Sequence, residues 1–282
     1  MFIGHQYLVK DFKELVKRGG LAHGYIFFGE PEVGKFYFAK HLANFLSAEG
    51  GSSFGGENKD FSLSARPLQD ALILENASGI GAMREIKSFL WQKPVVSLKK
   101  IVVINNAENL TPEAQNAILK ITEEPPEYSV LILIANQLDN LLPPLLSRLQ
   151  KIYFGRLSDS EMEKVVDPEQ SRRITRDIIS VSYGRPGRAM RLISDPITKE
   201  AKDYARNFLK MVDYQRSMLI KDLVENQKDR PKLLDYFFEE LILELKNDII
   251  GNAPLLKSVL SRFFLIKSYN VNKRIQLEAI KN

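Results

Sequence analysis

Cysteine is absent from the 282-residue chain, so disulfides, thiolate-held metals and thiol catalysis are excluded. Tryptophan occurs once, as Trp91, and reads as core or helix-end packing rather than a binding platform. No apolar run approaches the roughly 20 residues needed to cross a bilayer. The opening MFIGHQYLVKDF is polar and mixed, not a secretory leader, so the expected location is the cytoplasm, with no membrane partner. Neither charge sign dominates. The 40 basic and 35 acidic residues are interspersed, and a net charge of +5 with a pI near 9.1 permits nucleic-acid contact without requiring it. What is present is a globular composition: 44% hydrophobic with 10% aromatic residues supplies a sizeable core, over a length suited to two or three domains. No repeats are evident. The one low-complexity stretch, Ser47 to Lys59, is rich in Gly and Ser and reads as a flexible surface loop.

The chain is organised around Lys99 to Pro126, KKIVVINNAENLTPEAQNAILKITEEPP. Ile101 to Ile104 is too short for a helix and rich in β-branched residues, which predicts a strand covered on both faces. Thr111 is a good N-cap, Pro112 suits the first helical position, and Glu113 lies in the first turn where the helix dipole favours an acid. Between strand and helix stands Asn105-Asn106-Ala107-Glu108, at the strand's carboxyl end, where open α/β sheets bind ligands. ATPases of this architecture place there an Asp for magnesium and a Glu that helps activate water. Asn105 and Asn106 are amides, weak ligands for magnesium and unable to take a proton from water near neutral pH.

Residues 1 to about 22 are predicted as a helix, with Leu8, Phe12, Leu15 and Val16 at helical spacing before Gly19-Gly20 breaks it. A short strand from Tyr25 to Phe28 then runs into Gly29-Glu30-Pro31-Glu32-Val33-Gly34-Lys35-Phe36, followed by a helix to Leu46. Strand, loop and helix with G-x-x-x-x-G-K is the context of a phosphate-binding loop. Yet Phe36 stands where a Ser or Thr hydroxyl would hold magnesium. Glu30 and Glu32 add negative charge where phosphates would sit, and Glu32 takes a place that calls for positive φ. The residues read as a retained turn in which Lys35 serves packing or solubility, the alternative being a working ATP site.

Ala71 to Leu74 and Val130 to Ile134 are two further strands, and Met83, Ile86 and Leu90 mark one face of a helix that Pro94 prevents from continuing. Asn136, after the last of these strands, reads as a turn former, with γ-phosphate sensing as the alternative. In LLPPLLSRLQKIYF, Ser147-Arg148 falls in a short helical turn before a strand from Lys151 to Phe154. Arg148 can supply charge to a phosphate bound by a neighbour, as an arginine finger does, or can form a surface ion pair. Beyond Phe154 the pattern is helical: Asp159 to Val166, Ser171 to Ser182, then a helix opened by Gly184-Arg185-Pro186-Gly187-Arg188. Long amphipathic stripes follow, with a break expected at Gly251 to Pro254 before a last apolar run, Leu255 to Ile266.

The ordered set IGH, G-x-x-x-x-G-K, NNAE, TPEAQNAILK, ITEEPP and LLPPLLSR resembles the clamp-loader branch of the AAA+ superfamily, most closely the delta-prime type of subunit of bacterial DNA polymerase III. The likeness covers residues 1 to 195 with clear motifs and reaches the end through NVNKRIQLEAI. It implies an α/β P-loop-type parallel-sheet domain over residues 1–155, a small helical lid over 156–195 and an all-α collar over 196–282, where subunits join into a ring. It also implies that Arg148, with Ser147, is a finger acting in trans on a motor subunit's ATP, although Leu149 replaces the family's cysteine. Gly29, Gly34, Lys35, Phe36, Asn105, Asn106, Asn136 and Arg188 would form a degenerate nucleotide site. Arg188 matches the second sensor, and with that site degraded it is expected to pack or to form an ion pair at a helix start. Many members hold zinc through four cysteines where this chain has its Gly/Ser stretch, so no zinc is expected. No cofactor is required, and binding of ATP and magnesium is doubtful. The implied partners are the motor (gamma/tau) and delta subunits, the sliding clamp and primer-template DNA. The alternatives are an active motor subunit of the same kind and an AAA+ adaptor outside replication.

Overall fold

The computed structural model describes residues 4–47, 69–75, 79–95, 97, 99–166, 172–225 and 229–280. Apart from Ser47, the Gly/Ser stretch expected to lack zinc ligands lies outside them. The chain divides into two compact units, Met1–Ala189 and Met190–Asn282.

In the first unit, α1 (Gln6–Lys17) precedes β1 (Gly24–Phe28), α2 (Lys35–Ser47), β2 (Ala71–Leu74) and α3 (Ile80–Trp91). Then come β3 (Lys100–Ile104), a single 3-10 turn (Ala107–Asn109), α4 (Pro112–Glu123), β4 (Ser129–Ala135), α5 (Pro143–Arg148) and β5 (Gln150–Tyr153). The five strands form one parallel sheet in the order β2-β3-β4-β1-β5. Every residue of β3 and β4 is buried, as continuous β-branched runs require in a sheet covered on both faces. One face packs against α1 and α2 through rings of Phe12, Tyr25, Phe27, Phe38 and Phe154 at tilted or edge-on angles. The other packs against α3, α4 and α5 through Ile86, Leu90, Ile118, Ile121 and Leu145. The Thr111 hydroxyl caps α4 by accepting from the Ala114 amide at 3.3 Å, with Pro112 at the first helical position. Trp91 does lie at a helix end, but it is 43% exposed, with the Lys87 ammonium 5.5 Å above its ring.

The N-terminal margin of β2 and β3 is built on Asp70. Its carboxylate accepts from the amides of Val95 and Ser97 and from the Ser97 hydroxyl, at 2.9 to 3.1 Å, and faces the buried Lys100 ammonium at 3.4 Å. Lys100 also lies 4.1 Å over the Phe89 ring. The sheet is followed by α6 (Asp159–Val165), α7 (Arg172–Ser182) and α8 (Pro186–Ser194). A capping box formed by Ser158 and Glu161 starts α6.

The second unit is helical: α9 (Pro196–Phe208), α10 (Asp213–Glu225), α11 (Leu233–Lys246), α12 (Ile249–Ser268) and α13 (Lys273–Glu278). Its core gathers Phe208, Leu219, Leu223, Phe237, Phe238, Leu241 and Val259. The expected break at Gly251 to Pro254 does not occur, because α12 runs through Pro254. Pro254 falls in the second turn, and the carbonyl it deprives of a partner belongs to Ile250, a residue that is 92% exposed. The expectation about apolar length changes with it. By length and composition this 20-residue helix is the one among the described residues that could cross a membrane, although it carries Lys257, Arg262 and Lys267.

Asp70→Ala is expected to destabilise the chain by about 3–5 kcal/mol, because it strands a buried ammonium. Urea unfolding would measure this, with Lys100→Met in the same chain restoring part of the loss.

Candidate functional site

The phosphate-type loop leaves β1 at Gly29, where φ is +140° and an added Cβ would collide with the Phe154 carbonyl. Glu32 sits at φ 66°, a strained conformation for a side-chain-bearing residue, and its carbonyl accepts the Gly187 amide at 3.0 Å. A Cβ on Gly187 would come 3.0 Å from the Glu32 Cβ, so the start of α8 lies directly on the loop. Gly34, at φ +104°, precedes α2. Phe36 packs against the core on the α1 and α2 face of the sheet and lies 4.0 Å beneath the Lys40 ammonium, which pairs with Glu75 at 3.0 Å. His5 of the IGH motif is buried edge-on against Phe154, its Nε2 at 2.9 Å from the Val33 carbonyl. A carbonyl only accepts, so Nε2 carries the proton, and burial holds the ring's pKa below the usual histidine value.

Lys35 is buried, and its ammonium donates to the Gly29 carbonyl at 2.7 Å, the Glu30 carbonyl at 2.6 Å and the Asn136 Oδ1 at 3.0 Å. An ammonium has three donors, so the protein itself supplies a full set of acceptors. Burial lowers the Lys35 pKa from 10.5 to about 8, against the favourable charges of Glu108 and Glu30. Asn136, expected to form a turn, lies in a bend directly after β4 and bridges the loop after β1 to the turn after β3. Its backbone amide and Nδ2 donate to Glu108 Oε1 at 3.2 and 2.7 Å while its Oδ1 faces Lys35. The other Glu108 oxygen is buried, with no hydrogen-bond partner among the described residues.

Glu30 is held by Arg156 through both carboxylate oxygens, at 2.8 to 3.0 Å. That pairing offsets one of the two negative charges that the sequence places over the loop. Asn105 donates its amide to Leu74 at the edge of β2, and Asn106 takes the left-handed conformation at φ 52°, which asparagine tolerates well. Arg188 is fully buried, with Nε donating to the Val181 carbonyl at 3.0 Å. Among the described residues no group of three or more His, Asp or Glu side chains is placed to hold a metal.

Arg148 ends α5, outside the Lys35 group. Its Nη2 donates to Glu123 Oε1 at 3.2 Å and its Nη1 to the Pro144 carbonyl at 3.5 Å; the Ser147 hydroxyl donates to the same carbonyl at 2.9 Å. The pair is exposed at both partners. Behind it, the buried Gln115 of α4 donates to the Asn140 carbonyl and accepts from the Leu142 amide, fixing the approach to α5.

Residues 4–158 match the family described as DNA polymerase III, delta subunit. The chain belongs to this family of AAA+ clamp-loader subunits. Among curated proteins, it is 27% identical over 239 residues to the DNA polymerase III subunit delta' of Pseudomonas aeruginosa, covering 80% of this chain and 72% of that one. It is also 27% identical over 185 residues to the gamma/tau subunit of Mycoplasma pneumoniae, covering 63% of this chain and 27% of that protein. The chain thus spans about a quarter of the length of that gamma/tau relative. A gamma subunit-related protein of Thermotoga maritima shares the fold, with a TM-score of 0.50 at 18% identity and 96% of each chain covered.

The tertiary roles of four residues of this clamp-loader chain are not visible in the sequence. Arg156 is 126 positions from Glu30, and no local pattern pairs them. Glu108 was legible by position in the NNAE turn, but not as the acceptor that orients Asn136. Gly187 was legible as part of a helix start but not as a seat for Glu32. Glu123 was legible only as a member of ITEEPP.

A pH series tests the buried ammonium. The unfolded chain keeps the Lys35 proton up to about 10.5 and the folded chain only up to about 8, so the unfolded state binds the extra proton between those values. The unfavourable contribution of Lys35 is therefore full below pH 8 and disappears as the pH rises toward 10.5. In urea unfolding, the wild-type chain should gain stability relative to Lys35→Met across that window; a constant difference would show that the ammonium is not desolvated.

Proposed function

We propose that this chain is the non-hydrolysing, delta-prime-like subunit of a cytoplasmic DNA polymerase III clamp loader, and that it presents Arg148 to ATP held by a neighbouring motor subunit. The observation that carries the reading is the internal saturation of Lys35 by Gly29, Glu30 and Asn136. A phosphate would have to displace protein acceptors already in place, next to a Phe36 ring with no oxygen and a turn whose Asn105 and Asn106 are uncharged. The donor set does not fit a magnesium nucleotide, and no zinc or other cofactor is called for.

Arg148 supports the second half of the reading. It ends a short helix on an exposed face, and among the described residues it is tied down only by an exposed ion pair and one long hydrogen bond. Such a pair contributes about 0–1 kcal/mol, so the guanidinium can be transferred to a phosphate at little cost. Guanidinium charge at a transferring phosphoryl group is a recurring device of phosphoryl transfer. In this reading residues 1–155 form the α/β domain, 156–195 the lid and 196–282 the collar. The gamma/tau and delta subunits are the neighbours, and the sliding clamp and primer-template DNA are the cargo of the assembled loader. The similarity to gamma/tau proteins, at the same identity as to delta', favours a second reading, an active motor subunit using Lys35.

Arg148→Ala discriminates when introduced into a complex reconstituted with gamma/tau and delta subunits. The isolated variant should keep its stability to within about 1 kcal/mol. Turnover at the adjoining ATP site should fall by about 100-fold or more, and clamp loading with it. Full turnover would refute the finger.

A further inference from the structure

Glu123 is the last residue of α4, where the helix dipole disfavours a carboxylate, and Glu124 follows it directly. What offsets this is the Arg148 guanidinium at 3.2 Å. The contact engages one N–H of Nη2, and the Pro144 carbonyl engages one N–H of Nη1. Among the described residues, Nε and the second N–H of each terminal nitrogen have no other partner, which leaves the fork that binds two oxygens of a phosphate. Glu123 itself stands on a braced element: α4 is capped at Thr111, buried along Ile118 and Ile121, and locked to the approach of α5 by Gln115.

We infer that Glu123 is a positioning residue for Arg148, holding one side of the guanidinium so that the free side is presented in a fixed direction to an oxyanion of an adjoining nucleoside triphosphate. The inference rests on the finger reading above. An unrestrained arginine samples many rotamers, and one that is already directed loses less freedom on engaging the phosphate. The magnitude is bounded by the pair's exposure. An exposed ion pair shifts an equilibrium by no more than about fivefold, so Glu123 tunes the finger and does not replace it.

The test uses the complex reconstituted with gamma/tau and delta subunits, clamp and primer-template DNA, carrying Glu123→Ala, Glu123→Gln or Arg148→Ala in this chain. Steady-state kinetics with ATP give kcat and KM, and thermal unfolding and sizing report folding and assembly. Glu123→Ala should lower kcat by about two- to fivefold with KM, unfolding midpoint and assembly unchanged. Glu123→Gln, which keeps the length and an acceptor oxygen, should restore most of the loss. If Arg148→Ala lowers kcat while Glu123→Ala leaves it unchanged or raises it, the positioning role is overturned and the finger stands. A kcat loss in Glu123→Ala accompanied by lost assembly would likewise overturn it in favour of a structural role. No loss in Arg148→Ala would overturn the finger and the inference together.

Discussion

A buried ammonium must be satisfied, and the way Lys35 is satisfied organises the whole carboxyl edge of the sheet. The cost of removing its charge from water is met by two loop carbonyls and one side-chain amide, close to the stoichiometric limit of the group. Asn136 can face Lys35 only because Glu108 orients its amide, so the end of β1, the end of β4 and the turn after β3 are joined through three side chains. The loop is further held by Arg156 on Glu30 and by Gly187 on the Glu32 carbonyl. A network in which each member is oriented by the next resists partial replacement, since freeing one group strands another.

The same turn leads into α4, and α4 connects the two halves of the candidate machinery. Its N-terminus begins just after Glu108, its middle carries the buried Gln115 that holds the approach to α5, and its last residue meets Arg148. One rigid element therefore sets the position of the exposed arginine relative to the closed loop. Under the proposed function, Arg148 presented to a neighbour's phosphate depends on this rigidity.

What the sequence made legible was whatever depends on local pattern. The β-branched runs of β3 and β4, the Thr111-Pro112 start of α4, the short helix ending at Ser147-Arg148 and the succession of helices after Phe154 follow from periodicity and capping. So does the loop spacing around Lys35, while the family match confirms the clamp-loader resemblance. What stayed hidden depends on tertiary placement. Nothing local shows that Glu30 meets Arg156, that Asn136 bridges Lys35 and Glu108, or that Trp91 stays exposed. Pro254 misled because its helix-breaking cost depends on whether the orphaned carbonyl is buried, and the residue that carries it, Ile250, is exposed.

The central claim is that the loop is closed by the protein's own acceptors and not by nucleotide. It is tested most directly by titrating the isolated chain with ATP and magnesium in a calorimeter, then measuring phosphate release from the same sample. The account predicts no binding heat and no turnover. Tight binding with turnover would contradict it, and would make this chain a motor whose Lys35 exchanges its internal partners for phosphate.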